Sequence, residues 1–189
     1  LAACSKNEIS PLNGDVRNIA LSVALEEDGS TRAVYDGAGR MVFENNDKFS
    51  GAIAKVDNPA KAIKVATRAG DEASTYSTPF TIADAEAETP VFDGNIYSVV
   101  SDDWADTYKF YGIFPSSAVY SAESNLSNWA GSLSSEQTPT QSQWDKKYAV
   151  MQMQPASIST AESTYDEKWD EYSAVVNGNA VKFAHVFGY

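Results

Sequence analysis

Short stretches in which apolar and polar residues alternate recur along this chain of 189 residues, and they constrain its fold more than any other feature. In the clearest example, Ile19, Leu21, Val23 and Leu25 are separated by alanine, serine and alanine. Successive side chains of a β-strand point to opposite faces of its sheet. The pattern therefore predicts a strand with one apolar face.

Further short apolar stretches predict additional strands, and loops rich in Ser, Thr and Gly separate them. These stretches are 41–43, 51–56, 62–67, 96–100, 107–114, 148–153 and 181–187. Turn signals lie at Asn58-Pro59, Asp93-Gly94 and Asn177-Gly178. Many short strands with irregular loops indicate a mainly β fold, a sandwich of mostly antiparallel strands with long loops, and not alternating strands and helices.

The sequences of two segments predict short helices within this β-rich chain. Thr164 and Glu167 have the spacing of a capping box, which predicts a turn or two of helix through Trp169 and Tyr172. Residues 82–88 are rich in alanine and glutamate and form a second, shorter candidate.

The two ends of the sequence suggest how the protein is organised. Residues 5–16 are mostly polar and contain Pro11 and Asn13-Gly14, so we interpret residues 1–16 as an opening motif and a flexible tether in front of a β-sandwich domain spanning 17–189. The last predicted strand stops at Tyr189 without a turn or a polar tail. We therefore expect the natural protein to continue into a further domain.

The charge of the chain limits the partners that it can bind. It has 26 acidic and 14 basic residues, which gives a net charge of −12. This balance argues against binding nucleic acid or an anionic lipid surface through a basic patch. It suits a self-repelling protein that is secreted or displayed at a cell surface.

The opening tetrapeptide, Leu1-Ala2-Ala3-Cys4, has the pattern at which a bacterial lipoprotein precursor is cut and acylated. Cys4 is the only cysteine, so it cannot form a disulfide within the chain. Acyl chains on one cysteine would hold a folded domain to a membrane without a spanning helix. Cys4 is therefore the predicted lipidation site, and a chance tetrapeptide is the alternative.

The sequence offers few groups for catalysis or for metal binding. Its single histidine, His185, has no second histidine to complete a metal site or a triad. No phosphate-binding glycine loop, HExxH or GxSxG motif is present, and the acidic clusters at 102–106 and 166–171 lack a calcium-loop spacing. We expect no catalytic residues, no metal and no cofactor.

Two tryptophans lie in polar segments, where a loop would present them to solvent. Trp104 and Trp129 are therefore candidates for stacking on sugar rings. The alternative is that they pack against the core or its edge, as most tryptophans of β-sandwiches do.

Five stretches, in this order along the chain, carry a resemblance to a known family. They are Leu1 to Asn7, Ile19 to Leu25 with Thr31-Arg32-Ala33, Phe43 to Phe49, Tyr108 to Pro115, and Gln137 to Met151 with Val181 to Phe187. Together they resemble the amino-terminal half of the fimbrillins, the pilin and pilus-accessory lipoproteins of Bacteroidales. The segment Asn45-Asn46-Asp47 departs from the family pattern because it lacks the usual glycine.

The resemblance implies a transthyretin-like β-sandwich that is exported as a lipoprotein to the outer membrane and cell surface. In the polymerising members of the family an arginine-specific protease removes the tether and the first strand, and the bond that matches in this chain joins Arg32 to Ala33. Loss of the strand carrying Ile19, Leu21, Val23 and Leu25 would open an apolar groove, which a strand from the next fimbrial subunit fills.

Other roles within this resemblance stay open. The alternative for Arg32 is an ordinary surface arginine that is not cleaved. Many relatives that serve as anchors or accessory subunits keep their tether. Beyond other fimbrial subunits and the membrane reached through Cys4, a host protein or a glycan is an expected partner. The alternative function is a surface lipoprotein that binds glycans or host ligands without polymerising.

Overall fold

The computed structural model describes residues 16–24, 34–35, 41–87, 90–118, 124–126, 150–160, 164–166, 171–175 and 183–185. At 34–35, 41–42, 164–166, 171–175 and 183–185 it describes the backbone alone. The fold is mainly β, as the sequence predicts. Short 3₁₀ turns lie at Ser101–Asp103 and Ser116–Ala118.

Twelve strands lie within the described residues. In chain order they are β1 (Val16–Ala24), β2 (Val34–Tyr35), β3 (Met41–Val42), β4 (Lys48–Lys55), β5 (Thr78–Ile82), β6 (Val91–Val100), β7 (Thr107–Phe114), β8 (Met151–Met153), β9 (Ala156–Ser159), β10 (Thr164–Asp166), β11 (Glu171–Val175) and β12 (Phe183–His185).

Ten of these strands form one continuous sheet in the order β10-β11-β1-β6-β5-β4-β7-β8-β12, with β9 beside β8 on the same edge of β7. Strands β2 and β3 pair separately. The pairing of β1 with β11 is parallel, and the other described pairs are antiparallel. The sheet curls, so that Cα atoms of β9 and β11 come within 8 Å of one another. Assignment to the transthyretin-like class stays a prediction.

The concave side of the curled sheet holds a core built around aromatic rings. Six of its buried residues are Phe43, Phe49, Phe80, Phe92, Phe110 and Phe114. Phe49 stacks on Phe80 with ring centroids 5.0 Å apart, and Phe110 meets Phe80 edge to face at 5.1 Å. Such geometries add attraction to the stabilisation that burial alone provides. These rings therefore tie β4, β5 and β7 to one another.

Two glycines make room for the Phe80 ring. A Cβ atom added to Gly94 would lie 2.5 Å from a Phe80 ring carbon, and one added to Gly51 would approach the same ring equally closely. Real Cβ atoms essentially never come this close to a neighbour. The strands can therefore approach the ring only because neither glycine has a side chain.

The strand predictions are largely confirmed. β7 covers the predicted stretch 107–114, and β1 covers the alternating segment as far as Ala24. The chain turns at Asn58-Pro59, as predicted. The predicted strand 62–67 instead forms isolated bridges, such as Ala54 with Ala62 and Ala66 with Tyr97.

Three local predictions are wrong. Asp93-Gly94 is not a turn but lies within β6, where Gly94 accommodates Phe80. In the described part of the predicted helix from Thr164 to Tyr172, residues 164–166 lie in β10 and residues 171–172 lie in β11, and these strands pair antiparallel. Sheet pairing thus overrides the helix signal at these residues. Residues 82–88 form no helix in their described part, since Ile82 ends β5 and a turn follows.

We expect Gly94→Ala to lower the free energy of unfolding by about 1–3 kcal/mol, because the added methyl group overpacks the core against Phe80. Chemical denaturation monitored by circular dichroism would measure the change. Gly112→Ala is the matched control, because its added Cβ would meet Phe49 at 3.1 Å, a contact that a small shift relieves. Equal losses for the two variants would contradict the close fit at Gly94.

Candidate functional site: the slot occupied by the first strand

Strand β1 lies inside the sheet, with a hydrogen-bonded neighbour on each side. On one side it runs antiparallel to β6, with Leu21 opposite Gly94 and Val23 opposite Phe92. On the other side it runs parallel to β11, with Ile19 opposite Tyr172. Its removal would therefore leave unpaired backbone groups on two strands, not one.

The apolar face of β1 points into the core, as the alternating pattern predicts. Ile19, Leu21 and Val23 are 2%, 2% and 0% exposed. Burying each side chain stabilises the fold by about 1.5–3 kcal/mol, which is an upper estimate because unfolded chains already bury some surface. β1 therefore fills a row of three pockets along its slot.

A buried amide fixes the register of β1 where the pairing with β6 is irregular. The register shifts between Arg17 and Ile19, and Asn18 is only 2% exposed. Its Oδ1 accepts a hydrogen bond of 3.0 Å from the backbone N–H of Ser98. Ser98 has a φ of 59°, unusual for a residue other than glycine, and its hydroxyl donates to the carbonyl of Asp71 at 2.7 Å.

Sequence reasoning missed both members of this pair. Asn18 precedes the alternating segment and Ser98 lies in a predicted strand, so neither stands out by residue type or spacing. The contact depends on a bulge between strands that are 80 residues apart in the chain.

Trp104 packs over one end of β1. The guanidinium carbon of Arg17 lies 3.9 Å from the centroid of its ring, and its indole N–H donates to the carbonyl of Val99 at 2.9 Å. Trp104 is half-buried and packs against the core. Arg17 thus covers one face of this predicted sugar-stacking ring while β1 is in place.

Tyr108 holds the loop that carries Trp104. Its hydroxyl accepts a hydrogen bond of 2.8 Å from the N–H of Ala105 and donates to the carbonyl of Asp103 at 3.1 Å. Burial raises the pKa of Tyr108 above the ordinary value of 10.0, and the Ala105 hydrogen bond and the charge of Arg17 oppose this rise. The loop is therefore fixed to the core through a neutral phenol.

The other predicted site residues lie outside the described residues. These are Cys4, Leu25, Arg32, Ala33 and Trp129. The structure therefore brings together Ile19, Leu21 and Val23 in the slot and places Trp104 at its end. Within the described ranges, no group of three or more His, Cys, Asp or Glu side chains is arranged to hold a metal ion.

Comparison of the chain with protein-family models, with curated proteins and with solved structures finds no match. Among the described residues, no helix is both long enough and apolar enough to cross a bilayer.

We expect Arg17→Ala to lower the free energy of unfolding by about 0.5–1 kcal/mol, since it removes the cation over the Trp104 ring. Denaturation followed by tryptophan fluorescence would measure the change. Arg68→Ala is the matched control, because Arg68 lies exposed in a loop. If Arg17→Ala matches that control, Arg17 does not hold Trp104 against β1.

We expect stability to fall as pH rises above about 10, because the unfolded chain then loses the Tyr108 proton while the folded protein retains it. Below that pH both states are protonated, and Tyr108 contributes no pH dependence. Comparing urea denaturation of the wild type and Tyr108→Phe at about pH 9 and pH 11 isolates this contribution. Tyr108→Phe should lose less stability over this interval. An equal loss in both proteins would contradict the assignment.

Proposed function

We propose that this chain is a non-enzymatic structural or adhesive subunit of cell-surface fimbriae, of the fimbrillin type. It is exported as an outer-membrane lipoprotein through Cys4 and assembles by donor-strand exchange once its first strand has been removed. The observation that carries the proposal is the position of β1, which is the first described strand and yet lies between two partners inside the sheet.

The geometry of the slot favours refilling. Loss of β1 would leave the facing edges of β6 and β11 without hydrogen-bond partners and would expose the pockets of Ile19, Leu21 and Val23. Backbone pairing of an incoming strand supplies affinity, and side chains at alternate positions fix its register. A strand from a neighbouring subunit would satisfy both requirements.

The Asn18–Ser98 contact adds a polar requirement to the incoming strand. Without Asn18, the backbone N–H of Ser98 loses the acceptor that lies 3.0 Å away. A buried donor without a partner costs about 1–3 kcal/mol. The donor strand should therefore carry an acceptor at the Asn18 position and apolar residues at the positions of Ile19, Leu21 and Val23.

The maturation step can be tested by limited digestion of the folded protein with an arginine-specific protease, followed by intact mass and gel filtration. We expect cleavage between Arg32 and Ala33, loss of the fragment that contains β1, and formation of oligomers. Arg32→Lys is the control, because it keeps the charge and resists the protease. Arg68→Lys removes a competing site in an exposed loop.

Refilling of the slot can be tested with synthetic peptides added to the cleaved protein. A peptide of residues 15–26 stands in for a donor strand, and its fluorescently labelled form gives the binding constant. We expect the Asn18→Ala peptide to bind at least about fivefold more weakly, because Ser98 is left without its acceptor. The Leu21→Glu peptide should not bind measurably, since it places a charge in an apolar pocket.

Two results would count against strand exchange. One is a protein whose Arg32–Ala33 bond resists the protease, and the other is a cut protein that keeps β1 and stays monomeric. The alternative role, a surface lipoprotein that binds glycans or host ligands without polymerising, would then take precedence.

A further inference from the structure

Two adjoining clefts lie beside the loop that carries Trp104, and they share Lys64 and Asp103. The smaller cleft has a volume of about 370 Å³, within the range of about 300–1,000 Å³ typical of small-molecule sites. It is called the lysine groove below. Its lining residues include Lys55, Lys61, Lys64, Asp57, Asn58 and Tyr76.

One wall of the lysine groove is a chain segment fastened to the sheet. The N–H of Ile63 donates to the carbonyl of Ile53 in β4 at 2.9 Å, and the N–H of Ala66 donates to the carbonyl of Tyr97 in β6 at 2.9 Å. Ala62, Ile63, Val65 and Ala66 are buried, whereas Lys61 and Lys64 are exposed. The buried residues thus hold the two lysines on the outer side of the segment.

Two other lining residues, Lys55 and Asp103, belong to segments that are also held by hydrogen bonds. The ammonium group of Lys55, the last residue of β4, donates a hydrogen bond to the carbonyl of Asp102. The neighbouring residue, Asp103, lines the groove, and its carbonyl accepts the hydroxyl of Tyr108. A site whose lining segments are held in this way needs little reordering when a ligand binds, and this favours affinity.

The groups in the lysine groove match a ligand that carries both a carboxylate and hydroxyls. Three lysines, Lys55, Lys61 and Lys64, line the groove together with two aspartates, Asp57 and Asp103, so its lining carries one more positive than negative charge. The groove is thus locally cationic on a chain whose net charge is −12. Ammonium groups bind a carboxylate, whereas aspartates and an asparagine amide bind hydroxyl groups.

Tyr76 supplies the remaining feature of such a site. It lies half-buried in the lining of the groove, where a sugar ring can stack against its face. An acidic peptide would also meet the lysines, but its carboxylates would meet Asp57 and Asp103 and be repelled. The mixture of charges and the aromatic ring therefore favours a saccharide over an acidic peptide.

We propose that the lysine groove binds a carboxylated saccharide, whose carboxylate lies at Lys61 and Lys64 and whose ring lies against Tyr76. This site is separate from the β1 slot, because no residue of β1 lines the lysine groove. A result that disproves strand exchange would therefore leave the saccharide proposal standing, so a failure of one proposal is distinguishable from a failure of the other.

Isothermal titration calorimetry on the full chain tests the proposal with sialyllactose and galacturonate, which each carry one carboxylate, and with the neutral sugars lactose and galactose. We expect the carboxylated sugars to bind at least about tenfold more tightly than their neutral counterparts, as expected for a charge-assisted contact. Their affinity should fall as the salt concentration rises.

Variants locate the site. Lys61→Gln combined with Lys64→Gln should weaken binding of the carboxylated sugars at least about tenfold, and Tyr76→Ala should weaken both sugar classes. Lys48→Gln is the matched control, because Lys48 is an exposed lysine outside the groove. Circular dichroism of each variant confirms that the fold is retained.

Three outcomes would overturn the proposal. The first is no detectable binding of either carboxylated sugar, and the second is an equal effect of Lys48→Gln and the double lysine variant. The third is binding of triglutamate as tightly as the carboxylated sugars with the same loss in the double variant, which would identify an acidic peptide as the ligand.

Discussion

The rest of the structure depends on the contact between the Phe80 ring and two glycines, one on each neighbouring strand. Gly51 belongs to β4 and Gly94 to β6, which are the two neighbours of β5 in the sheet. Any side chain at either glycine would collide with the ring. The aromatic core is thus close-packed at its centre, where β4, β5 and β6 meet the ring.

The position of β1 depends on this core, because the segment of β6 that carries Gly94 also pairs with β1. Leu21 lies opposite Gly94, so β6 packs against Phe80 with one face and pairs with β1 along its edge. A donor strand that replaced β1 would meet a surface already shaped by the aromatic cluster. Pairing on both sides of the slot and burial of alternate side chains would make exchange selective for sequence, because a poorly fitting strand would leave buried groups unpaired.

The slot and the lysine groove depend on the same short loop after β6. In this loop, Trp104 contacts β1 because Arg17 lies over its ring. The neighbouring residue Asp103 lines the lysine groove, and its carbonyl accepts the hydroxyl of Tyr108. The cation over Trp104 belongs to β1, whereas the Tyr108 contacts and the hydrogen bond of Lys55 to Asp102 involve no residue of β1. The proposed strand exchange and the proposed saccharide binding therefore rest on different residues.

The sequence by itself determined the β class of the fold, the inward face of β1 and the bounds of β7, because these follow from local alternation of apolar and polar residues. It also placed Trp104 in a loop, though not its contact with Arg17. Only the tertiary structure decided that Asp93-Gly94 continues a strand and that Asn18 accepts a hydrogen bond from Ser98. It also decided that Lys55, Lys61 and Lys64 line the same groove. Each of these depends on strands brought together from distant parts of the chain, where packing against Phe80 and pairing across the sheet outweigh local preference.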